Sequence, residues 1–565
     1  MTGPRRGFAG AGLIFLLVPL VFMLLIFYYP LLFLLTYIRQ SSLIWNIFTE
    51  PFYITILLRT LAFAAKVTVF SLLIAYPCCC FISTLRPRSQ KAWMFILTLP
   101  LWTSVLARTY AWIIILGRKG IVNGGLQAAG VIDQPLMLMN NTFGAVVGSV
   151  YVMMPVMLLS LYGPIRSIDR SSVHAARTLG ASPAAAFLKV FLPLSMPGII
   201  SGCLLVFTLS LGLFVAPALL GGPYDRTFST VIAQRVDMMA DFGGAATLSV
   251  FFLVVTLLVL ILAASLFGTG PFRGSRTSHI PLSRRGGIPF GSIALLERFA
   301  PFLQWKQLWA LFLGVVSLLL MLPYVALLLI ATSSDDYVQF PPSGFSLRWF
   351  HALFSTGTWT QSAFNSLVIG CTAAVISVAM GIAAALGMKH LNPARRNMVM
   401  LLLVGASVIP AMIYALAAYF AAVQVGLSDS RIGIALAHAA MGTPFAVVLC
   451  VTAHNAIPAS IEEAARSLGA GYSIRARRII LPIMLPAVVS SFFVAFQTSY
   501  DELVVSLFLS GVKTPTFPKV MWQATTLEVT PIIAAASVAM VVLVLLLGGA
   551  VLGLSKVVRR GAPSM

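Results

Sequence analysis

The chain has 565 residues, 59% of them hydrophobic and only 9% charged, and a mean hydropathy of +0.97. A soluble domain carries about 25% charged residues, so this composition excludes a soluble fold and points to a polytopic helical membrane protein. The formal net charge of +22 is then expected to mark membrane topology and contact with anionic lipids, not nucleic-acid binding.

Apolar runs of about 20 residues, enough to cross roughly 30 Å of hydrocarbon, recur along the chain. Spans are expected near 11–36, 56–83, 93–117, 142–163, 197–220 and 244–267. The first is too long and continuous for a cleaved signal peptide and is expected to stay as a membrane helix. After it, Lys66 falls deep within the second span, where an internal polar partner is expected, and Arg59 lies nearer the outer interface. A second set of six spans is expected near 308–332, 363–388, 397–423, 433–455, 487–511 and 532–555. An even number per set returns the chain to its starting side, which predicts two six-helix halves in a parallel pseudo-two-fold arrangement, an all-α integral membrane fold.

Between the sets, residues 268–306 are rich in Gly, Pro, Ser and Arg and read as a basic cytoplasmic linker joining a first half, 1–267, to a second half, 307–565. With the N-terminus placed inside, Arg5, Arg6, Arg86, Arg88, Lys91, Lys389, Arg395, Arg396, Lys556, Arg559 and Arg560 all fall on the inner side with the linker's arginines. The positive-inside rule therefore predicts cytoplasmic termini.

Two segments of this inner face are near copies. Ile168-Asp169-Arg170-Ser171-Ser172-Val173-His174-Ala175-Ala176-Arg177-Thr178-Leu179-Gly180-Ala181 is matched by Ile457-Pro458-Ala459-Ser460-Ile461-Glu462-Glu463-Ala464-Ala465-Arg466-Ser467-Leu468-Gly469-Ala470. Leu192-Pro193 and Pro197 follow the first copy, Leu481-Pro482 and Pro486 the second. In the second copy Ser460 and Glu463 have capping-box spacing, and glycines at 180 and 469 are placed to end a helix in the left-handed conformation. Ser182-Pro183 supplies a cap and first position for a second short helix, which Pro193 or Pro482 is expected to close. An amphipathic helix resting on lipid would need no such fixed small residues, so a docking surface for a soluble partner is the favoured reading over an interfacial helix.

Cys78, Cys79, Cys80, Cys203, Cys371 and Cys450 lie in predicted spans, where cysteine serves as a small apolar residue. No zinc-ligand spacing, nucleophile elbow or phosphate loop occurs, so neither a metal site nor hydrolysis of ATP by this chain is expected.

The pattern Glu463-Ala464-Ala465, three residues, Gly469, nine residues, Ile479, one residue, Leu481-Pro482 resembles the signature loop of permeases from binding-protein-dependent ABC importers. Leu101-Trp102-Thr103, Arg108-Thr109-Tyr110-Ala111-Trp112 and Val215-Ala216-Pro217-Ala218-Leu219-Leu220-Gly221-Gly222-Pro223 are similar to one polyamine-importer permease. Phe340-Pro341-Pro342, Ser346-Leu347-Arg348-Trp349 and Ser499-Tyr500-Asp501-Glu502 are similar to its partner permease. That branch includes permeases for opines, phosphonates and ferric iron. The resemblance implies a fused two-domain permease of the bacterial inner membrane, with type I importer transmembrane domains. It further implies coupling helices that dock on two copies of a cytoplasmic ATPase, which carries the ATP and Mg, and an extracytoplasmic binding protein that feeds the outer face. The coupling residues it assigns are His174, Ala175, Ala176 and Gly180 in one loop and Glu463, Ala464, Ala465 and Gly469 in the other. His174 stands where the pattern has Glu, so the two docking sites are expected to be unequal.

For the substrate pathway, ionisable residues inside spans are the candidates. Asp501 and Glu502, with Trp102, Tyr110, Trp112 and Tyr500 nearby in the pattern, suit an organic cation, and the position matching Asp501 in the first half is Gly212. The competing reading pairs Asp501 or Glu502 with Arg108 or Lys66 to fix helix register. A free Arg108 favours a carboxylate- or phosphonate-bearing ligand instead. A self-contained secondary transporter is the alternative class, disfavoured because it has no use for the duplicated loop.

Overall fold

The computed structural model describes residues 6–38, 43–266, 306–389 and 391–561. The linker predicted over 268–306 lies almost wholly outside the described residues. Among the described residues ten helices are long and apolar enough to cross a membrane, and two further pairs are bent at a break. In chain order the first set is α1 (Ile14–Ile38), α2 (Pro51–Ile82), the bent pair α3 (Pro87–Trp102) and α4 (Val105–Leu116), α5 (Thr142–Ser167), the short α6 (Arg170–Thr178), α7 (Pro183–Leu211), the short α8 (Val215–Leu220) and α9 (Phe228–Asp237), and α10 (Phe242–Ala263). The second set repeats it with α11 (Lys306–Ala331), α12 (Gly357–Met388), the bent pair α13 (Pro393–Val408) and α14 (Ala411–Gln424), α15 (Arg431–Asn455), the short α16 (Ala459–Ser467), α17 (Tyr472–Tyr500), the short α18 (Val504–Leu509), α19 (Phe517–Leu527) and α20 (Pro531–Gly561).

Four of the expected spans depart from straight helices. The spans read over 93–117 and 397–423 break at Thr103-Ser104 and at Ile409-Pro410, with bends of 97° and 98°. At each break the chain leaves helical dihedrals, and Ser104 caps α4 while Pro410, lacking an N–H, starts α14 without a side-chain cap. The spans read over 197–220 and 487–511 end at Leu211 and Tyr500 and resume as α8 and α18 after a short break. Hydropathy did not reveal the two sharp bends because the residues on both sides are equally apolar, whereas the break after Tyr500 falls at the charged pair Asp501-Glu502.

The first helix of each set crosses to the other. α1 packs on α12, α14 and α15, and α11 packs on α2, α3 and α4. Leu16 approaches so closely that a Cβ on Gly387 of α12 would lie 2.8 Å from it. Phe27 stacks on Tyr414 with centroids 4.4 Å apart, and Tyr37 stacks on Phe420 at 3.9 Å. On the other side the Tyr151 hydroxyl donates to the carbonyl of Leu320, and Thr103 meets the Tyr324 hydroxyl at 2.8 Å. Close ring and backbone contacts of this kind, with small residues admitting them, are what holds helices together where lipid offers no hydrophobic contrast.

An outer clasp also occurs twice. Asn140 and Asp429, just before α5 and α15, both adopt left-handed backbone (φ 58° and 49°). A Cβ on the facing Gly222 would lie 2.4 Å from the Asn140 carbonyl, and one on Gly511 equally close to the Asp429 carboxylate, so glycine is required at both. Beyond them, Phe228 N–H donates to the Thr60 hydroxyl and Phe517 N–H to the Ser366 hydroxyl, 3.0 and 2.8 Å. These hydroxyls on α2 and α12 satisfy the first amides of α9 and α19 inside the bundle.

Candidate functional site

Two regions carry the chain's chemistry: the polar helical loops α6 and α16, and the contact between the two sets of helices.

In the inner loops, α6 and α16 each end in glycine with positive φ, Gly180 at 89° and Gly469 at 79°, as the sequence predicts. Their carbonyls are closed by Gly180 N–H to Arg177 and Gly469 N–H to Arg466, 3.0 Å each. Ser182 caps the following helix by accepting from Ala185 N–H. His174, Ala175, Glu463 and Ala464 are exposed, while Ala176 is half-buried and Ala465 buried, so each helix shows one face to solvent and rests the other on the bundle. Leu179 and Leu468, at matching positions just past the two helices, are 88% and 87% exposed.

Two expectations for these loops need correction. The Ser460–Glu463 capping box does not form: α16 starts at Ala459 with Pro458 as its cap and no side-chain cap bond, so Ser460 already lies inside the first turn. The first copy is the better capped one, because the Asp169 carboxylate accepts from Ser171 N–H at 2.9 Å and from its hydroxyl. Those hydrogen bonds, the Ser171 hydroxyl foremost, hold the Asp169 carboxyl below the usual carboxylate range. Finally, Pro193 and Pro482 do not close the second short helices. A π-helical turn over Phe187–Phe191 or Ala476–Ile480 carries the helix on into the membrane, because widening the turn ahead of a proline lets the helix absorb the missing N–H.

At the contact between sets, Asp501 is drawn onto the α3–α4 bend. Its carboxylate accepts from Val105 N–H at 3.0 and 3.2 Å and bonds the Ser104 hydroxyl, capping α4 from the opposite half. Glu502 accepts from Val505 N–H at 3.1 Å and caps its own α18. Arg108 is 4% exposed and donates Nε–H to the Ser104 carbonyl at 3.3 Å. It lies within electrostatic reach of Asp501, yet no ion pair joins them within 4 Å among the described residues, and its Nη1 has no hydrogen-bond partner. The expected alternative of a direct Asp501 or Glu502 ion pair is thus replaced by two ends of one bend held from both sides. Lys66 takes no part. It is exposed on α2 among Leu58, Val69 and Phe70, not turned inward as expected.

The aromatic candidates are mostly packed away. Tyr110 is fully buried and donates to the Thr530 carbonyl at 2.7 Å, Trp112 sits edge-on to Tyr151, and Tyr500 stacks on Phe496. Trp102 lies 5.2 Å from Phe493 across the interface. Opposite Asp501, the matching Gly212 faces the second bend, where a Cβ would come within 3.2 Å of Pro410. That side opens on a cavity of about 240 Å³ lined by Phe27, Thr208, Gly212, Pro410, Tyr414 and Thr498. A second, about 380 Å³, lies at the outer end of α4 between Arg118, Lys119, Leu136, Tyr337 and Val529. Neither bend nor cavity was legible in sequence; Gly212 and Pro410 both line the smaller cavity. No group of residues that could hold a metal is found among the described residues.

Paired sets of spans, a first helix exchanged between them, and a solvent-facing helical loop on each describe a polytopic membrane protein built as a duplicated unit. The chain belongs to the family described as binding-protein-dependent transport system inner membrane component, whose model matches residues 6–268 and 377–561. It is 36% identical over 213 residues to the spermidine/putrescine transport system permease protein PotB of Escherichia coli, covering 38% of this chain and 78% of that one. The PotC permease of Haemophilus influenzae is 30% identical over 226 residues, 40% of this chain and 88% of its own. The inner membrane ABC transporter permease YdcU of Escherichia coli is 30% identical over 231 residues, 38% of this chain and 72% of its own. The protein is therefore a fused, multi-pass inner-membrane permease of the ABC importer type, with the family's domain present twice.

Proposed function

We propose that the chain imports a polyamine or related amine-bearing solute, using two copies of a cytoplasmic ATPase that dock on α6 and α16 and an extracytoplasmic binding protein that delivers solute to the outer face. ATP and Mg reside on the ATPase subunits. The observation that carries this reading is the pair of solvent-facing loops, each ended by a left-handed glycine and crowned by an uncovered leucine. The substrate class rests on the names of the PotB and PotC relatives.

Closure of the ATPase pair would bring α6 and α16 together and, through α7 and α17, move the two bends apart or together. The carboxylates of Asp501 and Glu502 are the only negative side chains predicted inside spans, so a cation passing the bends meets Asp501 when its cap on Val105 is released. The termini and both loops lie on the cytoplasmic side in this reading.

Uptake of radiolabelled spermidine or putrescine by cells producing the complex tests it. ATP-dependent uptake lost on disabling the copurified ATPase is expected; transport that continues without any ATPase would overturn the importer reading in favour of an ion-coupled carrier.

A further inference from the structure

Resting on the coupling role proposed for α16, we infer that Lys389, Glu462 and His454 form a positioning clasp that bolts the second coupling helix to the inner end of α12, and that the first coupling helix lacks it. Glu462, the residue beside the signature Glu463, is turned inward and only 8% exposed. Its carboxylate is paired with the ammonium of Lys389, which follows the last residue of α12. His454, at the end of α15, lies beside this pair and donates Nδ1–H to the Ala385 carbonyl of α12 at 2.8 Å, so it fixes α15, the helix before α16, to the same end of α12. Beyond α16, Tyr472 reaches the Leu386 carbonyl at 3.5 Å. One helix end thus receives the coupling helix, the helix before it and the helix after it.

In the first half the corresponding residues are Val173, Ser83 and Ile165, none of them ionisable. There α6 is tied to the end of α2 by the Arg170 guanidinium donating to the Ser83 carbonyl and hydroxyl. The first link is a hydrogen bond to a neutral serine, whereas the second joins an ammonium to a carboxylate that is itself buried, and a bond between two charged groups with a buried partner fixes position more firmly than one to a neutral acceptor.

The clasp matters because α12 runs the full depth of the bundle. Its 32 residues span about 48 Å at 1.5 Å per residue. Midway, Ser377 donates to the Ala439 carbonyl of α15, and at the outer end Asn365 donates to the Pro515 carbonyl and accepts from Arg431. Ser366 beside it caps α19. A displacement of α16 is therefore handed to α12 at its inner end and delivered to the outer loop at the other. Lys389, Glu462 and His454 touch neither solute nor ATPase in this scheme; they act by fixing α16 to the rod.

The test uses the full permease purified with its ATPase and binding protein in proteoliposomes, reading solute uptake and ATP hydrolysis together. Glu462→Gln and Lys389→Met are each expected to cut uptake at least about fivefold, the lower end of ordinary coupling energies, while hydrolysis stays within about twofold, so that solute moved per ATP falls. The double exchange Glu462→Lys with Lys389→Glu is expected to restore most of that ratio, which separates the ion pair from mere folding. Uptake and hydrolysis falling in proportion, or a charge exchange that restores nothing, would overturn the clasp. Wild-type complex that binds no ATPase overturns the underlying coupling reading instead, and is recognised by absence of the ATPase before any variant is made.

Discussion

Asp501 is a residue whose type was legible and whose task was not. A carboxylate inside a predicted span signals function by default, but whether it faces solute, a cation or a backbone amide depends on a bend that hydropathy does not show. Here it caps α4 across the interface. Asp501→Asn keeps an acceptor for Val105 N–H, whereas Asp501→Ala leaves that amide bare at a cost of about 1–3 kcal/mol. The expected outcome is a lowered melting temperature in detergent for the alanine variant and a nearly unchanged one for asparagine, with uptake of a cation reduced in both. Equal melting of all three would deny the cap. At the outer surface, Asp335 is held down to about 2 by hydrogen bonds from the Ser343 hydroxyl and backbone N–H and from Ser333. A carboxyl depressed in the folded state stabilises above its unfolded value of about 3.9 and loses that contribution as pH falls through the folded value. Hydrogen exchange at Ser343 N–H, which Asp335 accepts at 3.0 Å, should therefore show unchanged protection from pH 7 to 5 after correction for the intrinsic rate.

The elements divide by what sets them. Helices with one buried face announced themselves through length and apolarity, and the glycine ends of α6 and α16 through the need for positive φ. The α3–α4 and α13–α14 bends did not, since their residues are apolar on both sides and the geometry is imposed by packing against the other half. The cap of α16 was misread for a smaller reason: capping-box spacing was present, but Pro458 starts the helix two residues sooner. We propose unequal docking of the two loops on a different ground. His174 and Glu463 are both exposed, and the anchoring beneath them differs. Glu463→Ala is expected to reduce coupled ATP hydrolysis several-fold more than His174→Ala, within the 5- to 150-fold range of about 1–3 kcal/mol of coupling; equal losses would refute unequal docking. Ala in place of Gly469 must take a left-handed conformation costing roughly 1 kcal/mol, and should loosen the loop as seen by faster proteolysis after Arg466.

On the scale of the whole molecule, the exchanged helices make each half incomplete alone. α1 packs on α12 and α14 as well as on α10 of its own set, and α11 on α2 and α4 as well as on α20 of its own set. Separately produced chains 1–267 and 307–565 should therefore copurify from the membrane without the linker. Recovery of each piece alone as a stable monomer would mean that the exchange contributes little. The division into two sets was legible from the repeat and from the count of spans, while the exchange was not, because no local pattern tells an apolar helix which neighbour it will meet.

The exchange also sets a problem of timing. α1 is made first, but the surfaces it stacks on, Tyr414 and Phe420 among them, emerge only after more than half of the chain has been translated. At about 5–20 residues per second, Phe27 and Tyr37 wait on the order of tens of seconds in the bilayer with only lipid or the insertion machinery against them. Biogenesis of the permease thus depends on keeping its first helix available, and slowing translation late in the chain should lengthen the window in which that helix is captured by other membrane proteins or degraded.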